Sequence, residues 1–70
     1  MNYYVIEITE TIDENGVITS NRPAPLAFDD LTKARARVHS RGGELLASGK
    51  YRAINVYVED ITGHKYDYVN

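Results

Sequence analysis

The start of the chain alternates in hydrophobicity with a period of two, the pattern of a β-strand with one buried face. Tyr4, Ile6 and Ile8 share one parity and Ile12 prolongs it. We therefore expect a first strand from Tyr3 onwards, with this apolar set facing the core.

Residues 13–16, Asp-Glu-Asn-Gly, interrupt this alternation with turn chemistry. Asn and Gly tolerate the positive φ of a tight hairpin, so residues 17–19 are expected to return as a second strand. Pro23 and Pro25 end that strand because proline cannot donate to a sheet ladder. Leu26 and Phe28 are interpreted as apolar anchors in the connection that follows.

A helical period then replaces the strand period. An apolar stripe of about 120° predicts a helix lying on a sheet; its members are Leu31, Ala34, Val38, Gly42, Leu45 and Leu46. Asp30 is the expected N-cap, with Asp29 as the alternative.

Two adjacent glycines leave the length of this helix open. The stripe keeps its phase across Gly42 and Gly43, which favours helix to about Ser48, with Gly49 as terminator. Two interior glycines cost about 2 kcal/mol relative to alanines, so a helix limited to residues 30–41 is the competing interpretation.

The last third of the chain alternates again. Residues 54–59 predict a third strand, residues 60–63 a turn, and residues 64–69 a fourth strand. The order β-β-α-β-β predicts a single α+β domain over residues 1–70, with two layers: a four-stranded antiparallel sheet and one helix on one face. With a right-handed crossover, the first and third strands lie at the centre of the sheet.

Composition excludes several classes of protein. The 70 residues contain 43% hydrophobic and 26% charged residues and no cysteine, which indicates a globular domain without disulfides. No apolar run approaches the roughly 20 residues that span a bilayer. His39 and His64 are the two histidines, and neither has the spacing of a zinc site or of a base beside a nucleophile. We expect a cytoplasmic, non-enzymatic protein without metal or cofactor.

Charge is segregated along the chain although the net charge is only −2. Residues 1–30 carry six acidic side chains against one basic one, and residues 31–52 carry six basic against one acidic. Lys33, Arg37 and Arg41 follow one flank of the predicted helix in steps of about 6 Å, and Arg35 lies on the other flank. This basic ridge could meet an acidic protein surface or follow phosphates; a merely solvated helix face is the alternative.

Tyrosine supplies six of the seven aromatic residues. If Ile6, Ile8, Val56 and Val58 face the helix, Tyr3, Val5 and Tyr57 point to the uncovered side of the sheet, and Tyr66 or Tyr68 can join them. Tyrosine provides large, rigid contact area, so this face predicts a protein partner or a homodimer. High strand propensity alone is the alternative explanation.

The layout resembles small proteins of phages and mobile elements, including anti-CRISPR proteins. The similarity lies in residues 3–8, the helix start at residues 28–34 and the strand at residues 54–60. It implies an inhibitor that binds a nuclease complex in the cytoplasm of the host cell. The sequence thus predicts a binding protein for a protein or nucleoprotein partner, with a small nucleic-acid-binding protein as the alternative.

Overall fold

The computed structural model describes residues 2–69, with side chains described through residue 66. These residues form five strands and one helix: β1 (Tyr3–Ile12), β2 (Ile18–Asn21), β3 (Leu26–Phe28), α1 (Leu31–Ser48), β4 (Ala53–Asp60) and β5 (Lys65–Val69). All strand pairs are antiparallel. The predicted α+β class with one helix is confirmed, but the sheet has five strands rather than four.

β1 organises the sheet, whose order is β2-β1-β4-β5. β4 pairs with β1 along residues 3–10, while β2 and β3 share the opposite side of β1. The predicted central position of the first and third expected strands, here β1 and β4, is confirmed.

β3 corrects our interpretation of Leu26 and Phe28 as a connection. After Pro25 the chain resumes pairing with β1, so that Val5 lies opposite Leu26 and Tyr3 opposite Phe28. The strand is three residues long and follows two prolines, which is why alternation along the sequence does not indicate it.

The side of β1 that faces the helix is the opposite of the predicted one. Val5 lies opposite Val58 in the ladder, and both belong to the buried cluster that α1 covers, with Ala34, Val38, Leu45 and Val56. Tyr3 packs against the same cluster. Because side chains alternate along a strand, Ile6 and Ile8 lie on the uncovered side. The prediction is wrong for β1 and right for Val56, Val58 and Tyr57.

α1 is continuous through the two glycines, so the longer of the two helix predictions is confirmed. Asp30 is the N-cap, and its Oδ1 accepts a hydrogen bond from the Thr32 backbone N–H at 2.7 Å. Gly42 is buried on the sheet-facing side, in phase with Ala34 and Val38. Gly49 ends the helix in the left-handed conformation at φ 67°.

Candidate functional site

A groove of about 250 Å³ lies between α1 and the β2–β3 side of the sheet. Its lining comes from three segments: Val5 and Glu7 of β1, Pro23, Ala24 and Leu26 of the sheet edge, and Arg37 and Arg41 of α1. An apolar floor is thus combined with two guanidinium groups and one carboxylate.

The groove lies where the sheet edge is interrupted. β2 pairs with residues 9–12 of β1 and β3 pairs with residues 3–5, so residues 6–8 have no register partner on this side. Pro23 and Pro25 occupy the gap, and proline has no N–H to continue the ladder. Leu26, directly after the gap, is 47% exposed.

Arg41 is committed to partners within the molecule. Its Nε and Nη2 donate to the two carboxylate oxygens of Glu7 at 2.7 and 3.1 Å, and its Nη1 donates to Glu44 Oε2 at 3.1 Å. The Glu7 side chain is only 13% exposed, and its hydrogen bonds hold the pKa of Arg41 above the usual range. The two-pronged pair fixes the Arg41 guanidinium to β1.

Arg37, one turn earlier, lies in a different environment. The residue is half-buried, and its Nε is inaccessible to solvent and has no acceptor among the described residues. The ion pairs among the described side chains also leave it without a carboxylate. Since Arg37 lines the groove, its guanidinium is the positive group there that intramolecular pairing does not neutralise.

The predicted basic ridge is therefore divided. Lys33 is exposed and continues the row from Arg37, whereas Arg41 is withdrawn into its ion pairs. Arg35 lies on the other flank, as expected, close enough to Tyr66 for its charge to act on the phenol, and it is not without a partner. Two members of the row, Lys33 and Arg37, remain candidate binding residues.

The predicted tyrosine surface is not formed by Tyr3 and Tyr66. Both rings pack against the core under α1, with centroids 6.3 Å apart in an edge-to-face arrangement. Tyr57 lies on the uncovered side but is only 6% exposed, with Lys65 Nζ 5.4 Å from its ring centroid. The side chain of Tyr68 lies outside the described residues.

The phenol of Tyr66 belongs to the β4–β5 turn. It donates to Asp60 Oδ2 at 2.8 Å, while Asp60 Oδ1 accepts from the Thr62 hydroxyl at 2.6 Å and from the backbone N–H groups of Thr62 and His64. The Thr62 hydroxyl is the main reason that the pKa of Asp60 falls to about 2. The same carboxylate raises the pKa of Tyr66. This cluster is a turn-stabilising network.

Sequence reasoning missed the groove lining from β1 and the sheet edge. Glu7 carries a usable signal, because it is a carboxylate within an otherwise apolar strand start. The prolines carry another, since they interrupt an edge that would otherwise be continuous. Neither signal indicates that the two features meet beside α1.

The described side chains contain no group of three or more His, Cys, Asp or Glu residues arranged to hold a metal ion. In the same part of the chain no helix combines the length and the apolar character needed to cross a bilayer. Comparisons with known protein families, with curated proteins and with solved structures find no match for this chain. The resemblance to anti-CRISPR proteins stays a prediction.

Proposed function

We propose that this chain is a non-enzymatic binding protein that holds an acidic segment of a protein partner in the groove beside α1. Arg37 is the residue that carries the proposal. Its guanidinium lines the groove and lacks a carboxylate among the described side chains, whereas Arg41 of the same groove has two.

A carboxylate is the ligand that suits this position. Arginine presents parallel N–H donors that match the two oxygens of a carboxylate, and such charge-assisted pairs are about twice as strong as neutral hydrogen bonds. A partner Asp or Glu would pair with the Arg37 guanidinium, for which the described side chains supply no carboxylate. Lys33, exposed on the preceding turn, would increase the rate of encounter with an acidic segment.

The rest of the groove favours a protein segment over a nucleic-acid backbone. Val5, Leu26 and the two small residues Pro23 and Ala24 form apolar walls, which suit an aliphatic side chain next to the carboxylate. Arg41, the third cation that would follow phosphates, is neutralised by Glu7 and Glu44. Nucleic-acid binding through Lys33, Arg37 and Arg41 is therefore the alternative outcome of the test.

The resemblance to anti-CRISPR proteins extends this proposal to a component of a nuclease complex, met in the cytoplasm of a phage-infected host. Inhibition of such a complex stays a prediction. Binding through the groove can be tested without it.

The test selects ligands from a random peptide library displayed on phage. The selected peptides are then synthesised, and their affinity is measured by calorimetry. We expect enrichment of peptides with Asp or Glu next to an aliphatic residue. Arg37→Ala should weaken their binding about ten- to a hundred-fold, the usual effect of losing one charge-assisted pair. Lys50→Ala, which removes the same charge from an exposed loop after α1, should leave the affinity unchanged.

Two results would overturn the proposal. One is selection of peptides whose affinity Arg37→Ala and Lys50→Ala change equally. The other is a gel shift of DNA or RNA at low salt that Lys33→Ala and Arg37→Ala abolish, with no peptide selected; that result establishes the nucleic-acid alternative.

A further inference from the structure

The β1–β2 hairpin extends beyond the rest of the sheet. β4 begins at Ala53, opposite Glu10, so residues 11–19 form a ribbon of two strands and a turn. The turn is well defined: Asp13 Oδ1 accepts the backbone N–H groups of Asn15 and Val17, and Gly16 takes φ 81°. We refer to residues 11–19 as the hairpin tip.

The hairpin tip exposes aliphatic side chains. Ile12, Val17 and Ile18 are 52%, 58% and 49% exposed, and Ile12 lies directly opposite Ile18. Three of the six large hydrophobic residues that are exposed in the described chain thus lie within this short ribbon. An exposed apolar cluster of this kind marks an interaction surface.

The hairpin tip is also acidic. Residues 11–19 contain Asp13 and Glu14 and no Lys or Arg, and Glu10 directly precedes them. Asp13 is engaged in the turn and Glu10 pairs with Arg52 at 3.5 Å, but the Glu14 carboxylate is exposed and has no partner among the described residues. The tip therefore presents one unpaired carboxylate next to aliphatic side chains.

This is the chemistry that the groove is proposed to bind. We propose that the hairpin tip of one copy occupies the groove of a second copy, with Glu14 pairing with Arg37 and Val17 packing on Leu26. The inference rests on the proposed function, since it supplies that groove with a particular partner. The contact cannot form within one chain, because Val5 of the groove and Ile12, where β1 ends at the hairpin tip, are seven residues apart along an extended strand, about 23 Å.

The contact joins two different surfaces, so when a single contact links two copies, one copy keeps a free tip and the other a free groove. Repetition gives head-to-tail chains or a closed ring, of which the reciprocal twofold dimer is the smallest. One turn in a groove of about 250 Å³ is a small interface, so a dissociation constant of about 0.1–1 mM is expected.

A charge exchange tests this contact by sedimentation velocity. The wild type should show a mean mass that rises between about 10 µM and about 2 mM. Glu14→Arg and Arg37→Glu should each remain monomeric, because each places like charges together. An equimolar mixture of the two variants, and the double variant, should associate again, since opposite charges face each other in both. Lys50→Glu, the control, should associate like the wild type.

The inference is overturned if the single variants associate as the wild type does, or if neither the mixture nor the double variant recovers. Circular dichroism must show that every variant is folded. A wild type that stays monomeric throughout, yet binds acidic peptides in a manner that depends on Arg37, removes self-association and leaves the proposed function intact. If the wild type neither associates nor binds acidic peptides through Arg37, both the inference and the proposed function are wrong.

Discussion

Arg37 and Arg41 lie one helical turn apart on the same flank of α1, and their environments are opposite. The guanidinium of Arg41 donates two hydrogen bonds to the Glu7 carboxylate, which is mostly buried. Arg37 has lost the hydration of its Nε without gaining an acceptor in the described part of the chain. The first arrangement serves stability, and the second leaves the Arg37 guanidinium without a carboxylate among the described side chains.

The two residues should therefore respond differently to truncation. Arg41→Ala leaves the largely buried Glu7 carboxylate unpaired, and we expect the free energy of unfolding to fall by about 1–2 kcal/mol, a value discounted for the partial exposure of Arg41. Arg37→Ala removes an unsatisfied donor and should change it by less than about 0.5 kcal/mol. Urea unfolding followed by circular dichroism measures both.

A second variant separates charge from packing. Glu7→Gln keeps the shape of the side chain but removes its charge, so it should reproduce part of the loss seen in Arg41→Ala. Equal destabilisation by Arg37→Ala and Arg41→Ala would contradict the division of the ridge.

Sequence reasoning places the arginines but not their partner. The four-residue spacing on a helix predicts that Arg37 and Arg41 lie on the same flank, and they do. β1 is ambiguous, because Tyr3 and Val5 make its odd positions nearly as apolar as the even ones. Glu7 shares the side of Tyr3 and Val5, and a carboxylate is unfavourable under a helix unless a cation neutralises it. Arg41 of α1 is that cation. The pairing is tertiary and cannot be found from the period of the strand.

Among the elements, α1 is the one whose sequence and structure conflict locally. Gly42 is buried against the sheet, whereas Gly43 is exposed and an added Cβ there would meet nothing within 4 Å. The apolar stripe keeps the helix continuous because its burial outweighs the glycine cost. The sequence predicts the continuous phase of this stripe. It does not predict β3, because a strand of three residues has too few positions to show a period.

Gly43→Ala should therefore raise the free energy of unfolding by about 0.5–1 kcal/mol, because alanine reduces the backbone freedom of the unfolded chain and meets no neighbour. Urea unfolding at one pH provides the value. Gly49→Ala is the matched control: its φ of 67° is unfavourable for a side chain, so it should destabilise. A Gly43→Ala variant no more stable than wild type would indicate that the helix is broken at the glycines in solution.

In the whole molecule, the charge segregation seen along the sequence is partly cancelled by tertiary contacts. The acidic β1 meets the basic middle of the chain through Glu7 with Arg41 and Glu10 with Arg52. Among the charged groups without a partner in the described part of the chain, Glu14 lies at the hairpin tip and Arg37 lies in the groove. The molecule measures 42 × 21 × 16 Å, so these groups belong to different regions of an elongated surface.

The stability of the protein at acid pH tests this charge balance. As carboxylates gain protons, the eight Lys and Arg and the two His side chains give the chain a large positive charge that repels itself. Asp60 adds a specific contribution. Its pKa in the folded state is about 2 against an ordinary 3.8, so the stability it contributes is fully present above the ordinary value and is lost as the pH falls through about 2.

Asp60→Asn should consequently be less stable than the wild type at neutral pH, and the difference should shrink as the pH falls from about 5 to about 2. The reason is that protonation removes from the wild type the same charged acceptor that the variant lacks. Urea unfolding across this range measures the difference. Thr62→Val removes the hydroxyl that does most to lower the pKa of Asp60, so it should move the loss of stability to higher pH. If the wild type and Asp60→Asn differ in free energy of unfolding by the same amount at every pH, the Asp60 side chain stabilises the β4–β5 turn through its shape rather than its charge.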